Sequence, residues 1–381
     1  MKILHLIYTH AISGAEKYLK YLLPGLKANG FDCDLIVVCP KIKAAVIQEY
    51  CDSLNVLGIK TSLIIAERYS IITTAKKINN YLKYNNINIL HAHLLNSDLI
   101  AAITKSLFFR KLFIISTKHG YQEKVLQQYQ PGKYYKPPKD LYYYITKYTL
   151  SKINKNIAVS KGLSDLYFNI KLAKTPYPYI HHGVKVDAFN KEIYQKECRK
   201  ADPQLIIIGR IEYFKGHHFL LEALPLVVKE FAGTKLLILG EGSEKNNCMA
   251  QVNALGLQKN VEFLGFKPHP YSYISHSDVV ILPSLFEPFG LVYIEAFALQ
   301  IPVVAFNTPA GNEIIQNNET GLLVPIFDSV ALAEKIIYLL GNSAERKRLA
   351  DNAYIKYQSY FTVNRMVNQT VEWYHTILPS I

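Results

Sequence analysis

The chain has 381 residues, half of them hydrophobic, and a formal net charge of +13. That length exceeds the ~250–300 residues at which a single hydrophobic core stops growing, so two domains are expected. No apolar run reaches the ~18–20 residues needed to cross a bilayer, which excludes a spanning protein. The five scattered cysteines, Cys33, Cys39, Cys51, Cys198 and Cys248, show no metal-ligand spacing and suit buried thiols in a reducing cytoplasm.

The opening MKILHLIYTHAISGA superficially resembles a signal peptide. His5, Tyr8 and His10 interrupt its apolar run, and SGAEKYLKYLLPGLKANG follows in the order strand, turn, helix, so it is read as a first strand. Downstream, DLIVVC, TSLII, NILHAH, FIISTKH and NIAVS alternate with helical stretches such as SIITTAKKINNYLKYN. Such alternation predicts a parallel sheet covered on both faces. The stretch TPYPYIHHGVKVDAFNKE reads as a linker, after which QLIIIGR, KLLILGEG, VEFLGF, DVVILPS, PVVAF and GLLVP repeat the scheme. The expected domains are 1–184 and 185–360, with a final helix carrying Trp373 over about 361–381.

Charge is divided unevenly. Residues 1–185 carry 26 Lys and Arg against 10 Asp and Glu, while 186–381 carry 17 against 20. The densest basic stretch, YQEKVLQQYQPGKYYKPPKDLYYYITKYTLSK (121–152), interleaves lysines and tyrosines around prolines. Tyrosine rings tolerate a membrane interface, and lysines near anionic lipid contribute ~1 kcal/mol each. The stretch fits a loop and helix seated on the inner leaflet, or an ordinary solvated basic face. Nucleic acid is set aside as a partner because no nucleic-acid-binding motif accompanies the charge.

In open parallel sheets, ligands bind beyond the carboxyl ends of the strands. Gly14, His93, His119, Arg210, Glu241 and Glu287 all fall at such ends. The segment EPFGLVYIEAFALQ places Glu287 before a helix expected to open at Pro288, with Glu295 eight residues on. Eight helical residues rise ~12 Å, more than the roughly 5–9.5 Å between glycosidase carboxylates. The acids are therefore suited to grip two sugars of one long ligand, or serve as a helix cap and a solvated position. Glu295 lies among Ile294, Ala296 and Phe297, where a charge calls for a ligand or a buried cation. Arg210 and Lys215, following LIIIG, combine a guanidinium fork with a mobile ammonium and can together neutralise a polyanion, or are an exposed pair at a loop. No Asp-x-Asp metal site and no His/Cys cluster at ligand spacing is recognised, so no metal and no cofactor is expected. The Gly240-x-Gly242 turn lacks the third glycine of a dinucleotide fingerprint.

EPFG, then Glu295, then IPVVAFNTPAGNEII together resemble the donor-binding signature of family 4 of the retaining GT-B glycosyltransferases. SGAEKYL (13–19), HAH (91–93), STKHG (116–120), IAVSKGL (157–163), HHGV (181–184), GRIEYFKG (209–216) and LLILGEG (236–242) have counterparts in the same order, so the resemblance covers nearly the whole chain. It implies an α/β protein with two Rossmann-like domains facing across a cleft, the last helix returning to the first domain. It also implies retaining transfer of a sugar from a UDP- or GDP-linked donor to a glycan or lipid-linked acceptor. The expected setting is surface polysaccharide synthesis (lipopolysaccharide, O-antigen or capsule), at the inner face of the cytoplasmic membrane. The residues it implies for catalysis are Arg210, Lys215, Glu287 and His119. For the donor they are Gly14, Glu241, Phe289, Gly290, Leu291 and Glu295, with Glu295 at the ribose and Glu287 at the transferred sugar. Acceptor contacts are expected on the first half, at Ser13, His93, Lys124 and Lys133. Ser13 stands where the family commonly has glycine, and His182 where asparagine is usual, so no site residue is drawn from the linker. A nucleotide-sugar 2-epimerase and a non-catalytic glycan-binding subunit of the same fold are the alternatives.

Overall fold

The computed structural model describes residues 2–66, 71–122, 125, 137–186, 202–267 and 269–378. They form two compact units, Met1–Gly183 with Val363–Ile381, and Val184–Thr362.

The first unit is built on six parallel strands, β1 (Lys2–Tyr8), β2 (Asp32–Pro40), β3 (Lys60–Ala66), β4 (Ile89–His93), β5 (Phe113–Lys118) and β6 (Lys155–Ala158), in the order β3-β2-β1-β4-β5-β6. The inner strands read as near-continuous apolar runs because both faces are covered. The covering helices are α1 (Gly14–Ala28), α2 (Ala44–Val56), α3 (Ile71–Tyr84), α4 (Leu95–Ile103), α5 (Leu141–Lys152) and α6 (Lys161–Asn169). In α1 the residues Ala15, Tyr18, Leu19, Leu22, Leu23 and Leu26 recur at helical spacing and enter the core. The last helix, Val363–Ile377, packs along α1, where a Cβ on Gly25 would come within 2.4 Å of Val367. That helix contributes Met366, Val367 and Tyr374 to the same core.

The second unit repeats the topology with β7 (Gln204–Ile208), β8 (Lys235–Leu239), β9 (Val261–Gly265), β10 (Val279–Leu282), β11 (Val303–Phe306) and β12 (Leu322–Val324), ordered β12-β11-β10-β7-β8-β9. Its helices are α7 (His217–Glu230), α8 (Lys245–Ala254), α9 (Tyr271–Ser275), α10 (Leu291–Ala298), α11 (Pro309–Ile314), α12 (Ser329–Gly341) and α13 (Ser343–Tyr360). In each sheet the chain winds outward one way and then the other. The order reverses between β1 and β4 in the first unit, and between β7 and β10 in the second. Such switch points open a crevice at the carboxyl ends of the strands.

One expected boundary shifts. The helix bearing Glu295 opens at Leu291, not at Pro288, because Gly290 takes a left-handed φ of 91° and caps it from outside. Cys33, Cys39, Cys51 and Cys248 are buried free thiols. Cys198, Lys124 and Lys133 lie outside the described residues. Among the described residues no helix is long and apolar enough to cross a membrane.

Candidate active site

At the second switch point, two loops leave neighbouring strands, 209–216 after β7 and 283–290 after β10. They are tied together by the amide of Leu285, which donates to the carbonyl of Phe214 at 2.7 Å. Gly216, with φ 74°, lies so close beneath Pro283 that a Cβ would stand 1.9 Å from the Pro283 carbonyl oxygen. Only glycine admits both the conformation and the approach. This closure brings Lys215 Nζ to 2.5 Å from Glu287 Oε1, and Ser284 Oγ donates to the same oxygen at 2.9 Å. The pair is 18% and 11% exposed. Arg210 is exposed, and its guanidinium shares the Phe214 ring with Lys215, at 5.4 and 5.6 Å from the centroid. Two helices start beside the pair, α7 directly after Gly216 and α10 after Gly290. Their first amides lack intrahelical acceptors and favour an anion.

The remaining expected donor residues surround this pair unequally. Phe289 is buried, edge-on to Phe361 at 6.1 Å, and Leu291 is half-buried as the first residue of α10. Glu295 is 2% exposed within α10. Since helix begins only at Leu291, the expected eight-residue helical rise from Glu287 does not apply. Glu241 is exposed and paired with Lys245 at 3.0 and 3.2 Å, and a Cβ on Gly265 would lie 3.0 Å from its Oε1. The Gly240-x-Gly242 turn has a packing cause, since side chains there would meet the carbonyls of Gly209 and Ile211 at 1.9 and 2.2 Å. His217 escaped the sequence reading. It is 2% exposed at the start of α7, neither ring nitrogen has a partner, and burial followed by the neighbouring Lys215 lowers its pKa to about 3. The only signal was its position two residues after Lys215.

The first switch point carries histidines. Strand register pairs His5 with His91, and the two-residue period of β4 sets His93 on the same face as His91. His5 Nδ1 lies 3.1 Å from His93 Nε2, and His93 Nδ1 lies 3.1 Å from His119 Nε2. His91 stacks on His93 at 4.4 Å, and its own nitrogens meet the Tyr374 hydroxyl at 2.5 Å and Thr117 Oγ1 at 2.7 Å. Tyr18 stands edge-on to His119 and His182, at 5.1 and 4.9 Å. Burial lowers the pKa of His5 to about 3, and burial with the charge of Lys118 does the same for His119. Burial and the neighbouring imidazoles hold His91, His93 and His182 well below the usual value. Lys118 is itself bound to Asp98 at 2.6 Å.

Ligand atoms of His5, His91 and His93 lie within 4.8 Å of one another, close enough to consider a metal. Both nitrogens of His91 and of His93 are already engaged, so coordination would have to break these bonds. A hydrogen-bonded chain fits the arrangement better. His93, expected at the acceptor, is fully buried and hydrogen-bonded to His119, so it does not offer the acceptor contact expected of it. Ser13 donates through both its amide and its hydroxyl to Glu16 Oε2 at 2.8 Å, anchoring the turn at Gly14 where α1 begins. His5, His91 and His182 were not foreseen, because strand register rather than sequence spacing unites them.

Residues 12–188 match the family model described as Glycosyltransferase Family 4, and residues 189–356 that of Glycosyl transferases group 1. The chain belongs to family 4 of the glycosyltransferases. This glycosyltransferase has the GT-B fold. It superposes on Anabaena HepE, solved with UDP and glucose, with a TM-score of 0.80 and 18% identity over 99% of this chain and 100% of that one. It is 27% identical to an uncharacterised glycosyltransferase of Methanocaldococcus jannaschii over 57% of this chain and 55% of that protein. The same identity relates it to a capsular polysaccharide biosynthesis glycosyltransferase of Staphylococcus aureus, over 58% and 61%. The chain thus spans less than two thirds of either curated relative.

Proposed function

We propose that this glycosyltransferase moves a sugar, with retention, from a UDP-linked donor to a glycan or lipid-linked acceptor of a surface polysaccharide. The carrying observation is the Lys215–Glu287 pair, closed at 2.5 Å at the switch point of a parallel sheet with Arg210 beside it. As the sugar–phosphate bond breaks, negative charge grows on the departing diphosphate. Lys215 and Arg210 stabilise it there, in the role that a divalent metal takes elsewhere. Glu287, oriented by Lys215 and Ser284, accepts from hydroxyls of the transferred sugar, and Glu295 from the ribose. A phosphate oxygen of the leaving group takes the acceptor's proton, so no protein nucleophile is needed. The UDP of HepE supports the choice of base, and the capsular relative supports the acceptor class.

Seating on an anionic inner leaflet belongs to the same proposal. Helix α5 exposes Leu141 (75%), Tyr144 (55%) and Tyr148 at spacings of three and four, beside Lys147, and exposed Leu107 adjoins them through a Ser106–Tyr148 contact of 3.1 Å. Apolar bodies with polar tips and flanking lysines suit that interface.

The test is a thermal-shift comparison of UDP, GDP, ADP and their sugar conjugates with EDTA present. A ligand at 100 times its dissociation constant adds about 2.7 kcal/mol of stability. Response to UDP and UDP-sugars is expected. Response to GDP alone overturns the base, and no response to any nucleoside diphosphate overturns the enzyme reading in favour of a glycan-binding subunit. An absolute need for added Mg²⁺ or Mn²⁺ in turnover overturns the roles of Lys215 and Arg210. Donor turnover without acceptor points to the 2-epimerase.

A further inference from the structure

We infer that α3 is the cationic half of the membrane seat, holding anionic headgroups while α5 supplies the apolar contact, an inference that rests on the proposed seating at the inner leaflet.

The first sheet is covered by two helical layers of different charge. Ala75, Ile78 and Leu82 of α3 and Ile100 and Ala101 of α4 enter one core cluster, against which Leu150 of α5 packs, whereas α1 and α2 enter the other. Around α4 in the first layer, residues 71–84, 104–111 and 141–152 hold eight Lys and Arg and no Asp or Glu. Asp98 of α4 itself is buried and bound to Lys118. In the opposite layer α1 and α2 balance three lysines, Lys17, Lys20 and Lys27, against Glu16, Glu49 and Asp52. A face that only has to stay in water gains by mixing the signs, because a one-signed field works against the compact state. Only one of the two layers is mixed.

Within the one-signed layer the two outer helices carry different chemistry. The buried side of α3 is Thr74, Ala75, Ile78, Asn79 and Leu82, which leaves Lys76, Lys77 and Lys83 exposed on the other side, with Tyr84 at 88%. On α5 the exposed residues are mainly Leu141, Tyr144 and Tyr148, with Lys147 among them. Both helices pack on α4. The turn that ends α4, Thr104–Phe108, joins them: Thr104 Oγ1 reaches the Ala75 carbonyl of α3 at 3.4 Å, and Ser106 Oγ meets the Tyr148 hydroxyl of α5 at 3.1 Å. Exposed Leu107, Arg110 and Lys111 fill the space between. Charge and apolar surface are therefore continuous.

One small apolar contact gives only marginal, reversible attachment, and stable seating takes a second signal such as a basic patch. The aliphatic side chains of Leu107 and Leu141 find a partner in lipid and none on a nucleic-acid backbone, and a second copy presenting the same face is repelled by its uniform sign. An anionic leaflet satisfies both helices at once.

Sedimentation of the full chain with phosphatidylcholine vesicles, with and without phosphatidylglycerol, tests this. The wild-type protein is expected to sediment only with the anionic vesicles, and less as salt rises. Lys76→Gln with Lys77→Gln and Lys83→Gln should weaken that binding about 100-fold at low salt, from roughly five-fold per lysine near an anionic surface, and flatten its salt dependence. Leu141→Ser with Tyr144→Ser should weaken it several-fold and keep the wild-type salt dependence. A charge variant that binds as the wild type does overturns the inference while leaving the seat on α5 standing. Equal binding to pure phosphatidylcholine also overturns it, as does wild-type binding that ignores salt, and neither needs a variant to fold. Displacement from the vesicles by a single-stranded oligonucleotide overturns the choice of partner. If the wild-type protein sediments with neither vesicle, the proposed seating fails along with the inference, and turnover of a water-soluble acceptor shows that glycosyl transfer has not.

Discussion

In the first unit the crevice between β1 and β4 is lined by imidazoles that burial keeps uncharged, whereas the equivalent crevice between β7 and β10 holds a Lys–Glu pair with an arginine beside it. The topology is shared, so the difference comes from depth. His5, His91 and His93 sit within their strands at 0–1% exposure, where an isolated charge is costly. Lys215 and Glu287 sit on loops past the strand ends at 18% and 11%, where each offsets the other and solvent still reaches both. One scaffold therefore keeps neutral imidazoles within its strands and mobile charge on its loops.

The comparison breaks most visibly at Lys215. Lys215→Ala removes the cation and leaves Glu287 with only Ser284, and kcat is expected to fall about 10²–10³-fold, the usual loss for one preorganised charge-stabilising donor. Steady-state turnover of a UDP-sugar checks it, and a loss confined to KM would show ground-state binding instead.

Acid tests the neutral side. The pKa values of His5 and His119 fall from 6.5 to about 3 on folding, so between those limits the unfolded chain binds more protons. Stability contributed by these groups is complete above pH 6.5 and is lost as pH falls, by up to about 1.4 kcal/mol per pH unit for each histidine kept neutral. His91, His93 and His182 share the direction and lie in the same unit, against His217 and His218 in the second. Trp373, the single tryptophan of the chain, packs against the first core. Its fluorescence melting temperature should drop between pH 7 and pH 5, and a flat profile would contradict buried neutral imidazoles.

A finer division lies within the second unit. Glu295→Gln should weaken UDP binding roughly ten-fold, in line with loss of one charge-assisted contact, while Glu287→Gln should leave UDP affinity unchanged and lower turnover. Titration calorimetry with UDP separates them, and equal losses would merge the two roles. The smallest effect is expected at α5. Leu141→Ser with Tyr144→Ser should reduce sedimentation with anionic vesicles several-fold, by removing exposed apolar area, while turnover of a water-soluble acceptor stays unchanged. Unaltered sedimentation would return that face to ordinary solvated surface.

The strands were legible because doubly covered parallel strands must be written as apolar runs such as LIVV and VVIL. The burial of Glu295 was legible too, from its apolar neighbours. Pro288 misled the helix boundary, because the left-handed turn at Gly290 decides where α10 begins. The tight contact at Gly216 had no sequence signature, since it depends on a carbonyl 67 residues away. The histidine chain was half visible: HAH fixes one face by the period of two, but His5 joins it only through strand register, and His119 through the pairing of β4 with β5.

The bond between His91 and Tyr374 joins residues 283 apart, and the helix that carries Tyr374 completes a core otherwise made of residues up to Ile180. On a ribosome adding about 5–20 residues per second, the strand bearing His91 waits roughly 15–60 s for its partner. The second unit, by contrast, is one uninterrupted segment, Val184–Thr362, and can close as soon as it emerges. During translation the order of maturation is thus inverted: the half begun first is finished last, and His91 lacks its Tyr374 partner until that helix arrives.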